Sequence, residues 1–410
     1  MIRKLIYLNH AGTSFPKPSS IQQAIKVALN TSPTILNKRF SDRLRDMQHF
    51  FRVSTEHNNM TVTPSCTNAL RVALDHMNAA NEMTEVTNET NVTKVKSHTT
   101  TILTSSFEHQ ALDRLLERLQ SDQSDQGKNI RIIRVPPSST SAFPLDNILS
   151  LIHDKTLNVS LIAFSHASNV TGDVLLEDSE IEELTRQCRL QSPCVSTLVD
   201  GAQTVGVFDI DLEKLGVDYF AFGGHKNLNS CAGVGGLYIR SGQDQPVSYC
   251  DIGSVNMAGL AGMTTSMKTI MIDRNDDCED DNDVDHNNSN NSNISNSSNN
   301  NNLAQQFVNS MTALKGVQVH GRQWFSKRST TRAVSLTVDG MLSEDVSSVL
   351  LDQYDIVVSA GLQCAPKAHE TLGTIENGGT VRFSFGWDNT KEEMEAAVEA
   401  MAEIAAIAAT

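Results

Sequence analysis

Asp200, Gln203, His225 and Lys226 are the side chains most able to do chemistry together. They fall within TLVDGAQTVG and VFDIDLEKLGVDYFAFGGHK, residues 197–226. The first run reads as a buried strand ending in Asp200. The second reads as a short strand over 218–222 that ends in Gly223-Gly224-His225-Lys226. Short apolar runs of this kind suit parallel strands buried on both faces. Open α/β sheets place their chemistry at the carboxyl ends of strands, so these four residues are expected to converge on one crevice. A lysine there has two readings. One is an ordinary surface-loop lysine. The other is an amine that forms a Schiff base with pyridoxal phosphate, whose pyridinium nitrogen needs an acidic partner. Asp200 would fill the acidic role, and Gln203 would donate to the ring hydroxyl oxygen.

Other polar exits must line the same crevice. MTVTPSCTNAL reads as a strand, a turn and a helix start at Cys66, Thr67 and Asn68. A helix N-terminus binds phosphate through free N–H groups and the helix dipole, although an ordinary capped helix reads the same way. The strand 101–105 leads to Phe107-Glu108-His109, and LIAFSHASNVTG leads to Asn169. A lone histidine is more often structural, and a lone asparagine often only shapes a turn. SAGLQCAPKAHETLGT carries Cys364, which alone would read as a small buried hydrophobe. TVRFSFGW is a strand with one cation, Arg382.

DGAQTVG followed by DYFAFGGHK resembles the class V aminotransferase fold, in its cysteine desulfurase and selenocysteine lyase branch. The resemblance implies a fold type I, pyridoxal-phosphate-dependent α/β protein. A mostly parallel seven-stranded sheet would lie between helices, with a smaller α+β domain. Lys226 would hold the cofactor, with Asp200, Gln203 and His225 around it. Cys66, Thr67 and Asn68 resemble the phosphate-gripping A-T-E triplet, and His109 matches an E-H whose histidine stacks on the ring. Asn169 falls in S-H-x-S-N-x-x-G, beside ring and substrate. Cys364 matches the catalytic cysteine of R-x-G-x-H-C-A, and the chain continues in the A-P-x-A-H form of one subgroup. Arg382 matches the arginine that holds the substrate α-carboxylate. DIGSVNMAGLAG resembles E-x-G-T-x-N-x-x-G, with Ser254 for the threonine that, in dimeric relatives, grips the phosphate of the other subunit's cofactor. YLNHAGTSFPK resembles the segment that runs past the site mouth, with His10 expected as a surface-loop residue.

The resemblance implies desulfuration of L-cysteine to L-alanine, with a persulfide on Cys364. Selenocysteine lyase or aminotransferase chemistry on the same cofactor is the alternative, and a third reading is a binding partner in sulfur trafficking without turnover. A homodimer and a sulfur-acceptor protein would follow. Several departures bear on the sulfur step. Ser359 stands for an arginine, Gln363 for a histidine and Gly223 for a serine or threonine. A stretch that normally precedes Asp251 is missing.

Composition sets the frame. The 410 residues carry a net charge of -15. That charge disfavours nucleic acid and anionic membrane as partners. No apolar run approaches the roughly 20 residues that span a bilayer, and the first residues do not read as a signal peptide. Seven cysteines at irregular spacing, with no C-x-x-C pair, read as reduced thiols in a cytoplasmic protein without a structural metal. The large domain is expected over 15–262, with a polar loop insertion at 81–100. The block 273–302, rich in Asn, Asp and Ser, reads as a disordered insertion in the helix bridging the domains. Residues 1–14 and 303–410 would form the small domain.

Overall fold

Apolar runs from the first part of the chain pair into one sheet. The computed structural model describes residues 4–55, 60–87, 99–125, 129–191, 194–240, 254–276, 297–321 and 330–409. The chain begins with β1 (Ile6–Tyr7), α1 (Ser19–Leu29), α2 (Pro33–Lys38), α3 (Phe40–Phe50), β2 (Met60–Thr63) and α4 (Cys66–Thr87). Next come β3 (Thr100–Thr104), α5 (Gln110–Asp125), β4 (Ile130–Arg134), α6 (Leu145–His153), β5 (Asn158–Ser165) and α7 (Asp178–Gln191). They are followed by β6 (Ser196–Asp200), α8 (Leu212–Leu215), β7 (Tyr219–Gly223) and β8 (Gly235–Ile239). The last part holds α9 (Met257–Asp276), α10 (Ser297–Ala313), β9 (Val317–His320), β10 (Ala333–Val338) and α11 (Ser343–Tyr354). It ends with β11 (Ile356–Val357), α12 (Pro366–Leu372), β12 (Val381–Ser384) and α13 (Lys391–Ala408).

The seven-stranded sheet has the order β2-β8-β7-β6-β5-β3-β4. Strands β4, β3, β5, β6 and β7 run parallel, and β8 is antiparallel to both of its neighbours. This is the mostly parallel α/β sheet that the sequence implied. Strand β7 shows why it is buried on both faces. Tyr219 and Ala221 join a core with Ala69, Leu70, Ala73 and Leu74 of α4. Phe220 and Phe222 join the opposite core, with Met47 and Phe51. The period of two on the strand meets the helical period on α4. Burying one such phenylalanine stabilises the fold by about 1.5–3 kcal/mol. Gly201 follows β6 where a Cβ would lie 2.3 Å from the Phe220 ring. Only glycine lets the chain turn there and leave Asp200 at the strand end.

A second core is separate. It is built from β9, β10, β12, α10, α11 and α13, and it takes in Leu8. The sheet order is β12-β10-β9, all antiparallel. The first strand joins this part by pairing β1 with β11. Helix α13 opens with a capping box, in which Thr390 accepts from the Glu393 N–H and Glu393 reaches back. No helix among the described residues is long and apolar enough to cross a membrane.

Some boundaries differ from expectation. The charged run 40–57 reads in the sequence as one helix, but α3 ends at Phe50, and Arg52 is left-handed at φ 54°. Helix α4 continues to Thr87, into the stretch read as a loop insertion, and 88–98 lie outside the described residues. The polar block likewise starts and ends as helix: 273–276 belong to α9 and 297–302 to α10, while 277–296 lie outside the described residues. Both helices have packed turns nearby, through Met267 and Ile270 on one and Leu303 and Phe307 on the other. Adding turns to a packed helix costs far less than nucleating one, so polar composition does not stop the helix at once.

Candidate active site

Carboxyl ends of β5, β6 and β7 open into a cavity of about 370 Å³. Cys66, Thr67, His109, Asn169, Asp200, Gln203, His225, Lys226, Cys364 and Arg382 all line it. Ten of the twelve residues singled out in the sequence therefore meet in one place. Asn68 sits one residue further along α4, its N–H held by Ser65 Oγ at 3.1 Å. Ser254 is exposed and outside the cavity lining.

Lys226 is half-buried on the cavity wall, and desolvation holds its pKa below the ordinary lysine value, against the pull of Asp200. The peptide just before it is clamped. The His225 carbonyl accepts from Thr13 Oγ1 at 3.1 Å, Ser14 Oγ at 3.2 Å and Lys17 Nζ at 3.2 Å. Burial brings Lys17 down to about 8. Burial, then the charges of Lys226 and Lys17, bring His225 down to about 4. Asp200 Oδ1 accepts from the Ala202 N–H at 2.9 Å and from Cys66 Sγ at 3.2 Å. Burial, and then the Asp200 charge, push the Cys66 thiol well up, so the sulfur is a donor here.

His109 caps α5. Its Nδ1 accepts the Ala111 N–H at 3.0 Å, which leaves the ring proton on Nε2. Burial, then the Lys226 charge, keep its pKa below the ordinary value. Gln203 donates to the Ala11 carbonyl at 3.3 Å.

Arg382 and Cys364 also line the cavity. Arg382 donates to Asn169 O at 2.7 Å and to Asn9 Oδ1 at 3.1 Å, while its Nε has no acceptor among the described residues. Burial brings its pKa down to about 10. Asn169 gives its side-chain N–H to Gln363 O at 2.7 Å, and its buried Oδ1 has no donor among the described residues. Cys364 is exposed, and it sits in left-handed backbone at φ 56°.

These groups fit pyridoxal phosphate. The Lys226 amine and the Asp200 carboxylate share the cavity with the unpaired Asn169 Oδ1 and Arg382 Nε. The first turn of a 22-residue helix borders it and presents N–H groups that have no partner within the helix.

A model of the class-V aminotransferase family matches residues 78–269 and 288–397, well over half the chain. The chain belongs to that family. A probable cysteine desulfurase of Vibrio cholerae is 26% identical over 296 residues, covering 66% of this chain and 64% of that protein. A probable cysteine desulfurase of Methanothermobacter thermautotrophicus is 24% identical over 273 residues, covering 60% of each chain. The match thus spans less than two thirds of the length of these relatives. The apo structure of a cysteine desulfurase from Thermococcus onnurineus superposes with a TM-score of 0.76 at 20% identity. It covers 98% of this chain and 95% of the other. That likeness establishes the shared fold.

This class-V family member departs from the pattern where the sequence indicated. Ser359 lines the cavity and bridges to Arg382 through backbone hydrogen bonds of 3.1 and 2.7 Å. A Cβ on Gly223 would meet only His225 and Cys66 at ordinary contact, so no steric demand requires glycine there. His10 corrects an expectation: it is 2% exposed, a buried residue of the small core. Backbone bonds from the His10 N–H to Ser384 O and from the Ser384 N–H to Leu8 O fix this segment against β12, and Gly386 leaves room for the ring. Asn9, whose side chain meets Arg382, belongs to the segment noted in the sequence, but nothing local signalled that contact.

Proposed function

We propose that this chain is a pyridoxal-phosphate-dependent cysteine desulfurase, which converts L-cysteine to L-alanine and keeps the sulfur as a persulfide on Cys364. The observation that carries the reading is that Lys226, Asp200, Cys364 and Arg382 line one cavity. Pyridoxal phosphate, when bound, supplies an electron sink for charge that develops at the substrate α-carbon.

The remaining steps belong to the chain's own side chains. Lys226 would hold the cofactor aldehyde, Asp200 its ring nitrogen, Gln203 its ring hydroxyl, and Thr67 with the α4 N-terminus its phosphate. His109 offers a flat neutral ring to stack on it, with a proton on Nε2. Arg382 binds the substrate carboxylate, with Asn169 beside it. Lys226 moves the α-proton, a task suited to an amine whose burial favours the neutral form. The Cys364 thiolate forms an S–S bond to the substrate sulfur as the C–S bond breaks. The carbon keeps that electron pair and takes up a proton, and alanine leaves.

A homodimer completed by the segment at Ser254, a sulfur-acceptor protein and a cytoplasmic location go with this reading. Free thiols at Cys66, Cys188, Cys194, Cys231 and Cys364 support a reducing compartment. The test is direct. Protein loaded with pyridoxal phosphate and reduced with borohydride should carry a pyridoxyl group on Lys226 by peptide mapping. Given L-cysteine, it should release one alanine per sulfur bound to Cys364, and Cys364→Ser should release none. Transfer of an amino group to a keto acid by Cys364→Ser would assign the site to an aminotransferase. A protein that never takes up the cofactor would leave the binding-partner reading.

A further inference from the structure

Gln363 and Cys364 are consecutive non-glycine residues with positive φ, 38° and 56°. Such backbone persists only where surrounding groups over-determine it. The surrounding groups here are specific. The Cys364 carbonyl accepts the Gln110 N–H of α5 at 2.7 Å. The Gln363 carbonyl accepts from Asn169 Nδ2 at 2.7 Å. The Gln363 side chain reaches the other way. Its Nε2 donates to Thr380 O at 2.7 Å, next to β12 and Arg382. That contact fixes which end of the amide is oxygen. Oε1 then accepts from Thr380 Oγ1 at 3.1 Å and from His369 Nε2 at 3.0 Å. His369 is fully buried in α12, and its Nδ1 accepts from Thr374 Oγ1 at 2.7 Å. Burial keeps its ring neutral, down to about 4, so the donor at Nε2 is permanent in the working range.

We propose that Gln363 and His369 are positioning residues for Cys364, holding its strained backbone so that the thiol stays on the cavity wall beside Arg382. Neither side chain transfers a proton or touches substrate in this scheme. The link explains what glutamine does where histidine is usual. A histidine at 363 could not donate to the Thr380 carbonyl while accepting from both Thr380 and His369. The same side chain ties the nucleophile's loop to the strand of the carboxylate-binding arginine, beside the backbone bonds between Ser359 and Arg382.

The turnover part of the test rests on the desulfurase reading, and the exchange part does not. Three variants are compared with wild type: His369→Leu, His369→Gln, which restores a donor, and Gln363→Ala, whose partly exposed site tolerates truncation. Amide hydrogen exchange is followed in the peptide around Ala365, whose N–H donates to Leu362 O at 2.8 Å. The expected result is faster exchange there by about tenfold in His369→Leu and Gln363→Ala, and recovery in His369→Gln. In turnover with cysteine, kcat should fall about tenfold in the same two variants with KM unchanged, again recovering in His369→Gln. Wild-type exchange and kcat in both disrupting variants would overturn the proposal. So would a loss in KM alone, or a loss that His369→Gln does not relieve. If wild type does not turn over cysteine, the desulfurase reading falls, and the exchange data alone decide the positioning role. If His369→Leu does not fold, Gln363→Ala carries the test.

Discussion

The thiol of Cys66 donates to the carboxylate of Asp200, with Sγ 3.2 Å from Oδ1. The A-T-E triplet that this turn resembles would place an alanine here, which has no such donor. Together with the Ala202 N–H it occupies one carboxylate oxygen, and no hydrogen bond to Oδ2 is formed by the described residues. A second thiol in the cavity need not be a second nucleophile. Its proton is held by burial and by the neighbouring negative charge.

Thiol labelling tests this. A short iodoacetamide pulse at about pH 8, near the ordinary thiol pKa, reacts with thiols that are both ionised and accessible. Among the described cysteines, Cys364 and Cys194, both exposed, should label first. Cys66 should stay unlabelled, as should Cys188, whose thiol burial pushes up to about 12. Peptide mass analysis reads the order. Labelling of Cys66 as fast as Cys364 would remove its donor role. Cys66→Ala should cost less than about 1 kcal/mol of stability, because one weak donor is lost and the backbone donor remains.

Arg382→Lys addresses substrate binding. The guanidinium spends one nitrogen on Asn169 O and another on Asn9 Oδ1, a fork that a lysine ammonium cannot copy. Replacing it should raise the KM for cysteine by about 10–100-fold, equivalent to about 1.4–2.7 kcal/mol. The value of kcat should move much less. Steady-state kinetics across a wide cysteine range measure both. An unchanged KM would take the carboxylate contact away from Arg382.

Much of the site was legible because its residues are strand exits. Asp200, Asn169, His109 and Lys226 each follow an apolar run, and a parallel sheet brings such ends to one edge whatever the loops do. The support around Cys364 was not legible. Gln363 meets Thr380 across 17 residues, and Arg382 meets Asn9 across 373, so no local pattern records either contact. His10 failed for the same reason. A polar residue in a glycine-containing segment reads as exposed, and only the distant Ser384 and Gly386 bury it. Helix α4 outran its reading because composition reports propensity but not the packing that drives a helix onward.

Removing a buried carboxylate between two cations gives the clearest stability test. Asp113 on α5 holds Lys367 Nζ through Oδ2 at 2.5 Å and Arg134 through Oδ1 at 2.6 Å. Lys367 lies on α12, just after Cys364, so this cluster fastens the helix that follows Cys364 to the helix that His109 caps. Burial opposes the Lys367 charge, but the bonds to Asp113 and Glu117 outweigh it and raise its pKa. Asp113→Ala should cost about 2 kcal/mol, because it removes the buried partner of two half-buried cations and leaves them only the exposed Glu117. Lys367→Met should cost under about 1 kcal/mol, since that partner is partly in solvent. Urea unfolding of the two variants separates the cases, and equal losses would contradict the account.

Glu108 should make stability depend on pH in a direction unusual for a carboxylate. Its side chain is buried between β3 and β5, where Oε2 accepts the Ser165 N–H and Oγ–H at 2.7 Å each, and Oε1 accepts from Ser105 Oγ. Burial is the largest influence. The serine bonds oppose it and the Asp200 charge adds to it, and the pKa rises from 4.5 to about 7. The folded state therefore holds this proton more tightly than the unfolded chain does. Its contribution is complete below the unfolded value of 4.5 and is lost as pH climbs through about 7. The gap corresponds to something on the order of 3 kcal/mol. Glu108→Gln copies the protonated acid: its oxygen can still accept from Ser165, and its amide can donate to Ser105 Oγ. Other buried groups, such as Asp388 at about 6, titrate nearby, so the informative quantity is the difference between variant and wild type. Denaturant unfolding from about pH 5 to pH 8 should show wild type losing stability relative to Glu108→Gln as pH rises. Parallel curves would mean that the acid is ionised in the fold throughout. Ser165 would then be donating to a fixed negative charge one strand away from Asp200, and the field at the cavity floor would be more negative than the burial of Glu108 implies.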